Sequence, residues 1–308
     1  MPKTAKYILL FAAVLLASAV CAVLMFRPRA VNIVYMADAR YLPYMMVSLE
    51  SAIAGKNKGT QYHVHIIAKG FAPEDAAKIR KMAQDDVTIE LHSAREPKLD
   101  YARLGRFSSF KISLQKLFIA DYLPSLGKVL YLDADTLVQA DLSEVYETDL
   151  SGKYAAAVKD GLMYQFPEHV AGMDLNGRDF YFNSGVMLLN LAQIRKDGIM
   201  RRAVIYFNTH NEVFGDQDVL NVVFGSKVVP LSYRYNCNST FFEEKDAAFL
   251  SKFFNETVPQ NPREVYDSAA ILHFAGHKPW TPWFSHSYLK PLWYRYAAKV
   301  AEKYQMTF

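Results

Sequence analysis

Two aspartates one residue apart, Asp133 and Asp135, close the apolar run Val129-Leu130-Tyr131-Leu132. Four apolar residues in a row read as a strand buried on both faces. Alternation along an extended chain puts both carboxylates on the same side. Like charges held that close repel unless a cation lies between them or one keeps its proton. Ligands of open α/β sheets gather at the carboxyl ends of strands, so a strand ending in Asp-x-Asp points to a divalent metal gripping an anionic substrate. Asp also favours turns, and a plain turn after a strand is the competing reading. His273 ends a second apolar run, Ala269 to Leu272. Two carboxylates and one imidazole suit Mn²⁺, with Mg²⁺ as the alternative, better than Ca²⁺, which prefers all-oxygen shells. Taken alone, His273 reads as a core or turn histidine. Gly276-His277-Lys278-Pro279-Trp280 follows it, adding backbone that a ligand can approach closely and a point charge for phosphate oxygens. Metal and lysine together would neutralise charge growing on a leaving diphosphate.

These groups need a sheet to hold them. VNIVYM (31–36) reads as a first strand, and Leu42, Met45, Met46, Leu49 and Ile53 follow at helical spacing. Residues 62–68 alternate as a strand, 72–84 form a surface helix, and 87–91 the next strand; residues 109–122 are helical by pattern. Such β-α-β-α order predicts a mostly parallel sheet with helices on both faces. Beyond residue 140, the sequence predicts a strand over 154–158 ending in Lys159-Asp160. A long apolar segment over 180–191 is interrupted by Asn183-Ser184-Gly185, and one helix spans 192–209. Gly215-Asp216-Gln217-Asp218 opens another helix, and residues 236–263 read as polar loop. No G-x-G-x-x-G follows the first strand and no P-loop occurs, which disfavours nicotinamide dinucleotides and P-loop chemistry.

The chain has 308 residues and a net charge of +4 with no dominant Lys/Arg block, so nucleic acid is not the expected partner. Its two cysteines, Cys21 and Cys237, make neither a disulfide framework nor a zinc spacing. Residues 7–26 are free of charge and long enough to cross a bilayer as a helix. Lys3 and Lys6 precede them and Arg27 and Arg29 follow, so flanking charge gives no orientation. The segment reads as an uncleaved single-pass anchor, with a cleaved signal ending near Ala17-Ser18-Ala19 as the alternative. Residues 1–30 are therefore an anchor or signal segment, 31–286 the main domain, and 287–308 a basic, aromatic helix. That helix either rests on an anionic membrane surface or packs on the domain, and packing is the expected arrangement.

Five stretches together resemble glycosyltransferase family 8, which includes bacterial lipopolysaccharide glucosyl- and galactosyltransferases and glycogenin. They are NIVYMADARYLPYMMVSLESA (32–52), KLFIADYLPSLGKVLYLDADTLV (116–138), YFNSGVMLLNL (181–191), GDQDVLN (215–221) and LHFAGHKPW (272–280), in the family's order. The resemblance implies a GT-A fold, a UDP-sugar donor, Mn²⁺, and transfer of a hexose with retention of configuration to a glycan or glycolipid acceptor such as lipopolysaccharide core. Carried over by position, Ala37 and Asp38 would contact uridine with Tyr41 stacking nearby. Lys116 would lie near the donor, and Asp133, Asp135 and His273 would hold the metal. Asp160 and Asn183 would contact the transferred sugar. Asp216 and Gln217 would lie beneath its ring as the catalytic pair, and Gly276 and Lys278 would bind the diphosphate. The chain departs from the family pattern at Arg40, at Lys116 in place of arginine, and in a Gly276–Lys278 segment one residue shorter.

Structural readings stand beside these roles: Asp38 and Asp216 as helix caps, Asn183 as a pin for an irregular strand, and Tyr41 as core. Two other functions compete. LDADTL resembles the D-x-D-x-T nucleophile motif of haloacid-dehalogenase-like phosphatases, although Thr136 follows the second Asp directly. The other is a catalytically silent, membrane-tethered nucleotide-sugar binder. The catalytic domain would sit on the cytoplasmic face in a bacterium. In a eukaryote it would sit in the Golgi lumen, where the sequons at Asn238 and Asn255 could be used. Acceptor identity, glucose versus galactose and oligomeric state are not encoded in any motif.

Overall fold

The computed structural model describes residues 29–95, 98–102, 111–210, 214–284 and 288–308. The expected membrane segment, residues 7–26, lies outside them, as do Cys21 and the start of the C-terminal tail. Among the described residues no helix is long and apolar enough to cross a membrane.

Among the described residues ten strands form two sheets. They are β1 (Arg29–Asp38), β2 (Thr60–Lys69), β3 (Val87–Ser93), β4 (Lys128–Leu132), β5 (Thr136–Val138), β6 (Ala155–Lys159), β7 (Phe182–Asn190), β8 (Val228–Pro230), β9 (Cys237–Asn238) and β10 (Ile271–His273). Seven of them form one sheet in the order β3-β2-β1-β4-β7-β6-β8. Within it only β7 runs against its neighbours, β4 and β6. The mostly parallel sheet with flanking helices is therefore as the alternation of elements predicts. The apolar runs of its central strands β1, β4, β6 and β7 are buried on both faces, each side supplying one core cluster. A second sheet, β5-β10-β9, is small and mixed.

Polar residues of the first motif tie the helix Leu42–Gly55 to this frame. Thr136 donates its hydroxyl to the Asp133 carbonyl (2.9 Å), which leaves it to accept from Ser48 (2.7 Å), which in turn accepts from Tyr35 (3.1 Å). Ser51 accepts from the Val138 amide (2.8 Å). Ser48 and Ser51 of the helix, with Tyr35 of β1 behind them, thus position the segment that carries both aspartates.

Three expectations need correction. The single helix over 192–209 is two helices, Leu191–Lys196 and Ile199–Thr209, because Gly198 takes a positive φ of 62° between them. Residues 236–263 are not loop. After β9 they form the helices Ser239–Glu244 and Ala247–Phe254, and a third, Pro262–Ser268, begins at their end. Ala247, Leu250 and Phe253, spaced by three, bury the inner face of the second. Residues 113–122 form a 3-10 turn and a short α-helix rather than one continuous helix.

The C-terminal helix Leu289–Tyr304 buries Trp293, Tyr296 and Val300 in the core shared with Leu42–Gly55. Its end is fixed by buried Glu50, which pairs with Lys303 (2.5 Å) and accepts from the Tyr304 hydroxyl (3.2 Å). The aromatic side of the tail thus faces protein.

Candidate active site

Asp133 and Asp135 do not lie on an extended strand. Residues 133–135 form a turn between β4 and β5, closed by the Thr136 amide on the Asp133 carbonyl (3.3 Å). The turn reading of Asp-Ala-Asp is the one the backbone shows, and the turn itself gathers the two carboxylates. Neighbouring backbone clamps it from two sides. The Asp133 amide donates to the Gly185 carbonyl in β7 (2.7 Å), and the Phe274 amide, just past β10, donates to the Asp135 carbonyl (3.0 Å). Antiparallel pairing of β10 with β5 puts His273 opposite Thr136. Its Nε2 then lies 3.3 Å from Asp135 and 3.8 Å from Asp133.

The protonation of His273 can be read from its partners. Asp160, in the segment after β6, accepts from the Asn183 side-chain amide (2.7 Å). Asn183 must therefore turn its carbonyl oxygen the other way, where it accepts from the Gly185 amide (2.8 Å) and from the Asn236 side-chain amide (2.9 Å). Asn236 then turns its oxygen to His273 Nδ1, 2.8 Å away. An oxygen there requires a proton on Nδ1. In the neutral imidazole, Nε2 carries a lone pair aimed at two carboxylates, which favours a cation between them. The three ligating atoms lie within 4.8 Å of one another. Gly185 is part of the cradle: a Cβ there would come within 2.2 Å of His273 Cε1 and 2.8 Å of Asp133 Oδ2.

Lysines flank both aspartates. Lys116 is buried, 3.2 Å from Asp133 and 2.9 Å from Asp216. Burial pulls its pKa down, but Asp133 and Asp216 outweigh that and the net shift is upward. It is thus a fixed cation between two segments, and it also lies over the Tyr131 ring. Lys278 pairs with Asp135 and donates to the Phe274 carbonyl (2.6 Å). Burial pushes the Asp135 carboxyl up, but neighbouring positive charge, that of Lys278 first, holds it well below the usual carboxylate range.

The helix Asp216–Phe224 supplies the floor. Gly215, with φ 57° and ψ −121°, makes a turn into it that side-chain-bearing residues resist. Gln217 accepts from the Ser184 amide (2.9 Å) and donates to Asp160 (3.0 Å), so its amide is oriented at both ends. Asp216 accepts from Lys116 and from the Ser184 hydroxyl (3.0 Å). The remaining polar residues of the motif brace the helix. Asp218 accepts from Tyr181 (2.6 Å) and the Phe214 amide (2.8 Å), and Asn221 bonds both backbone groups of Phe182 (2.9 Å each). Buried Arg178 adds bonds to the Phe180, Asn221 and Gly225 carbonyls.

These groups surround a cavity of about 380 Å³. Its wall contains Lys116, Asp133, Asp135, Asp160, Asn183, Asp216, Gln217, His273, Gly276 and Lys278, ten of the residues singled out from the sequence. Tyr41 lines a smaller adjoining cavity of about 100 Å³ that shares Asp133, Asp135 and Lys278. Burial and the two aspartates push the Tyr41 phenol up to about 12, so it stays a donor. Ala37 and Asp38 line neither cavity. Ala37 is buried in the core, and Asp38 accepts from the Arg40 and Tyr41 amides (3.0 and 3.1 Å) and pairs with the Arg40 guanidinium (2.7 Å), a cap for the turn after β1. Sequence reasoning missed Asn236, whose polar type in a presumed loop gave no signal. It treated Gly185 only as a break in a strand.

The family model described as glycosyl transferase family 8 matches residues 32–284. A lipopolysaccharide 1,2-glucosyltransferase of Escherichia coli is 28% identical over 269 residues, 83% of this chain and 75% of that protein. A Haemophilus influenzae relative is 27% identical over 223 residues; these span 69% of this chain but only 64% of the relative's length. Among solved structures, the galactosyltransferase LgtC in complex with donor and acceptor sugar analogues superposes with a TM-score of 0.68 at 22% identity, covering 87% of this chain and 95% of that one. The fold is GT-A-like.

Proposed function

The chain belongs to glycosyltransferase family 8, and from that premise we propose that it moves a hexose, glucose or galactose, from a UDP-sugar to a glycan or glycolipid acceptor such as a lipopolysaccharide core, with retention of configuration. One observation carries the metal-dependent form of this reading. The chain Asp160–Asn183–Asn236–His273 leaves the His273 lone pair facing Asp133 and Asp135. That donor set fits Mn²⁺, with Mg²⁺ as the substitute. A divalent ion held by those three residues supplies positive charge against the leaving diphosphate. Lys278, on the wall shared by both cavities, adds a second positive charge there by exchanging Asp135 for a phosphate oxygen. Tyr41 faces the nucleoside, and Asp38 acts through the turn it caps.

The two carboxylates nearest Gln217 are committed. Asp160 accepts from three N–H groups, and Asp216 is paired with Lys116. Such partners lower their nucleophilicity, and an amide is a poor nucleophile. This supports attack from the leaving-group face, with a diphosphate oxygen taking the acceptor's proton and oriented Gln217 supporting charge on the sugar. Residues 7–26 would hold the enzyme at a membrane, where a glycolipid acceptor resides. Asn238 lines the cavity wall, where an attached glycan would fill the site, which favours the bacterial, cytoplasmic-face arrangement.

The test is a screen of UDP-sugars for donor hydrolysis by the full chain, with and without Mn²⁺. The expected result is slow, Mn²⁺-dependent release of UDP from UDP-glucose or UDP-galactose. UDP binding with no turnover of any donor would instead identify a silent nucleotide-sugar binder, and phosphate release from aryl phosphates would revive the phosphatase reading.

A further inference from the structure

The free edge of the seven-stranded sheet carries a second set of ligating side chains, remote from the cavity. Tyr62, Val64 and Ile66 of β2 pack into the core of the helix Leu42–Gly55, so the alternate residues His63 and His65 face the other side of the sheet. Parallel pairing with β3 sets His63 beside Thr88, His65 beside Glu90 and Ile67 beside His92. Glu90 and His92 therefore share the face of His65. His65 Nδ1 lies 3.2 Å from His92 Nε2 and 3.5 Å from Glu90 Oε2, and His92 Nε2 lies 3.7 Å from Glu90 Oε1.

Those three separations have a chemical meaning. Ligands about 2.0–2.1 Å from a tetrahedral ion stand roughly 3.3–3.4 Å apart along the edges of the tetrahedron. The two imidazole nitrogens stand near that spacing, the Glu90 carboxylate offers a different oxygen to each ring, and one ligand atom from each of the three residues lies within 4.8 Å of the others, so a side-chain adjustment without any change of backbone brings them together. We propose that His65, Glu90 and His92 form a second metal site, for a divalent transition ion of the Zn²⁺ class, which ties edge strand β3 to β2. Nitrogen donors disfavour Mg²⁺ and Ca²⁺ there. Glu90 is exposed and His92 partly so, which gives an ion access and leaves room for water as the fourth ligand. The geometry also limits affinity. Ligation through Nδ1 leaves the proton on Nε2, which is buried with no partner among the described residues. A missing partner of that kind costs roughly ten- to hundredfold in binding, which makes this an exchangeable site. Its role is mechanical: among the described residues β3 pairs with β2 alone, and a cross-strand ion protects that edge.

The experiment titrates ZnCl₂ into the full chain carrying Asp135→Asn, which disables the cavity site, by isothermal calorimetry. One Zn²⁺ per chain is expected, with a rise in the midpoint of thermal unfolding. Adding His92→Ala weakens binding by about tenfold or more and abolishes that rise. Adding Glu90→Gln, at an exposed position, weakens binding with no cost to folding. His63→Ala, which removes a neighbouring histidine bonded to Thr88, leaves binding unchanged. Equal Zn²⁺ affinity with and without both ligand substitutions overturns the proposal, as does a folded Asp135→Asn chain that takes up no Zn²⁺.

Discussion

Replacing Asn236 by leucine tests how the candidate metal site is held without touching a ligand. The two side chains are similar in size, and position 236 is 3% exposed, so the change removes polarity more than volume. His273 Nδ1 loses its acceptor at 2.8 Å, and Asn183 loses one of the two donors to its oxygen. Leaving a buried donor unpaired costs about 1–3 kcal/mol of stability. With nothing fixing its proton and plane, His273 is a poorer ligand, and Mn²⁺ affinity falls by roughly ten- to hundredfold. Asn236→Asp makes the contrast: a carboxylate still accepts from Nδ1, so it retains most of the affinity that leucine loses. The assay is electron paramagnetic resonance of free Mn²⁺ during titration of each variant in the presence of UDP, with circular dichroism as the folding control. A folded Asn236→Leu chain that binds Mn²⁺ as tightly as its parent refutes the reasoning from the hydrogen-bond chain.

Gly185→Ala places a methyl 2.2 Å from His273 Cε1 and 2.8 Å from Asp133 Oδ2; Mn²⁺-dependent donor turnover should be lost in a folded protein, and retained turnover contradicts the close approach. Lys278→Met should lower kcat by about 10²–10³, the scale seen when one donor to developing charge is removed, measured as UDP release at saturating Mn²⁺. The carboxyl of Asp135 is held low in the folded state, so its contribution to stability is present above the unfolded value of about 3.9 and is lost as pH falls below it. Urea unfolding from pH 5 down to about pH 2 should therefore show a shallower loss of stability in Asp135→Asn than in the parent, and parallel slopes would contradict it. Glu50→Leu should destabilise the chain by about 1–3 kcal/mol by freeing the Lys303 and Tyr304 end of the last helix, read from denaturant midpoints.

The parallel sheet was legible because its strands are long apolar runs separated by helical periodicity, and each such signal is local. Asp133, Asp135 and His273 were legible for a related reason: charged groups at the ends of apolar runs are costly unless something pairs them. Of the small sheet, β10 was legible as the buried apolar strand that ends in His273, but β5 and β9 were not, because they are three and two residues long and exist through pairing across distant segments. Lys116 was placed near the donor by motif position, but its wedge between Asp133 and Asp216 depends on two loops meeting. Asn236 carried no signal at all, since its role lies entirely in the direction of two hydrogen bonds. Asp38 shows the opposite case: its motif is conspicuous, yet its carboxylate is occupied by the turn it caps.

Soaking crystals of the full chain with Mn²⁺ and UDP and recording an anomalous difference map at the manganese edge addresses the central claim most directly. The account predicts one strong peak within bonding distance of an Asp133 oxygen, an Asp135 oxygen and His273 Nε2, with Lys278 moved from Asp135 toward the diphosphate. UDP seated in the cavity with no peak among those three residues would contradict it.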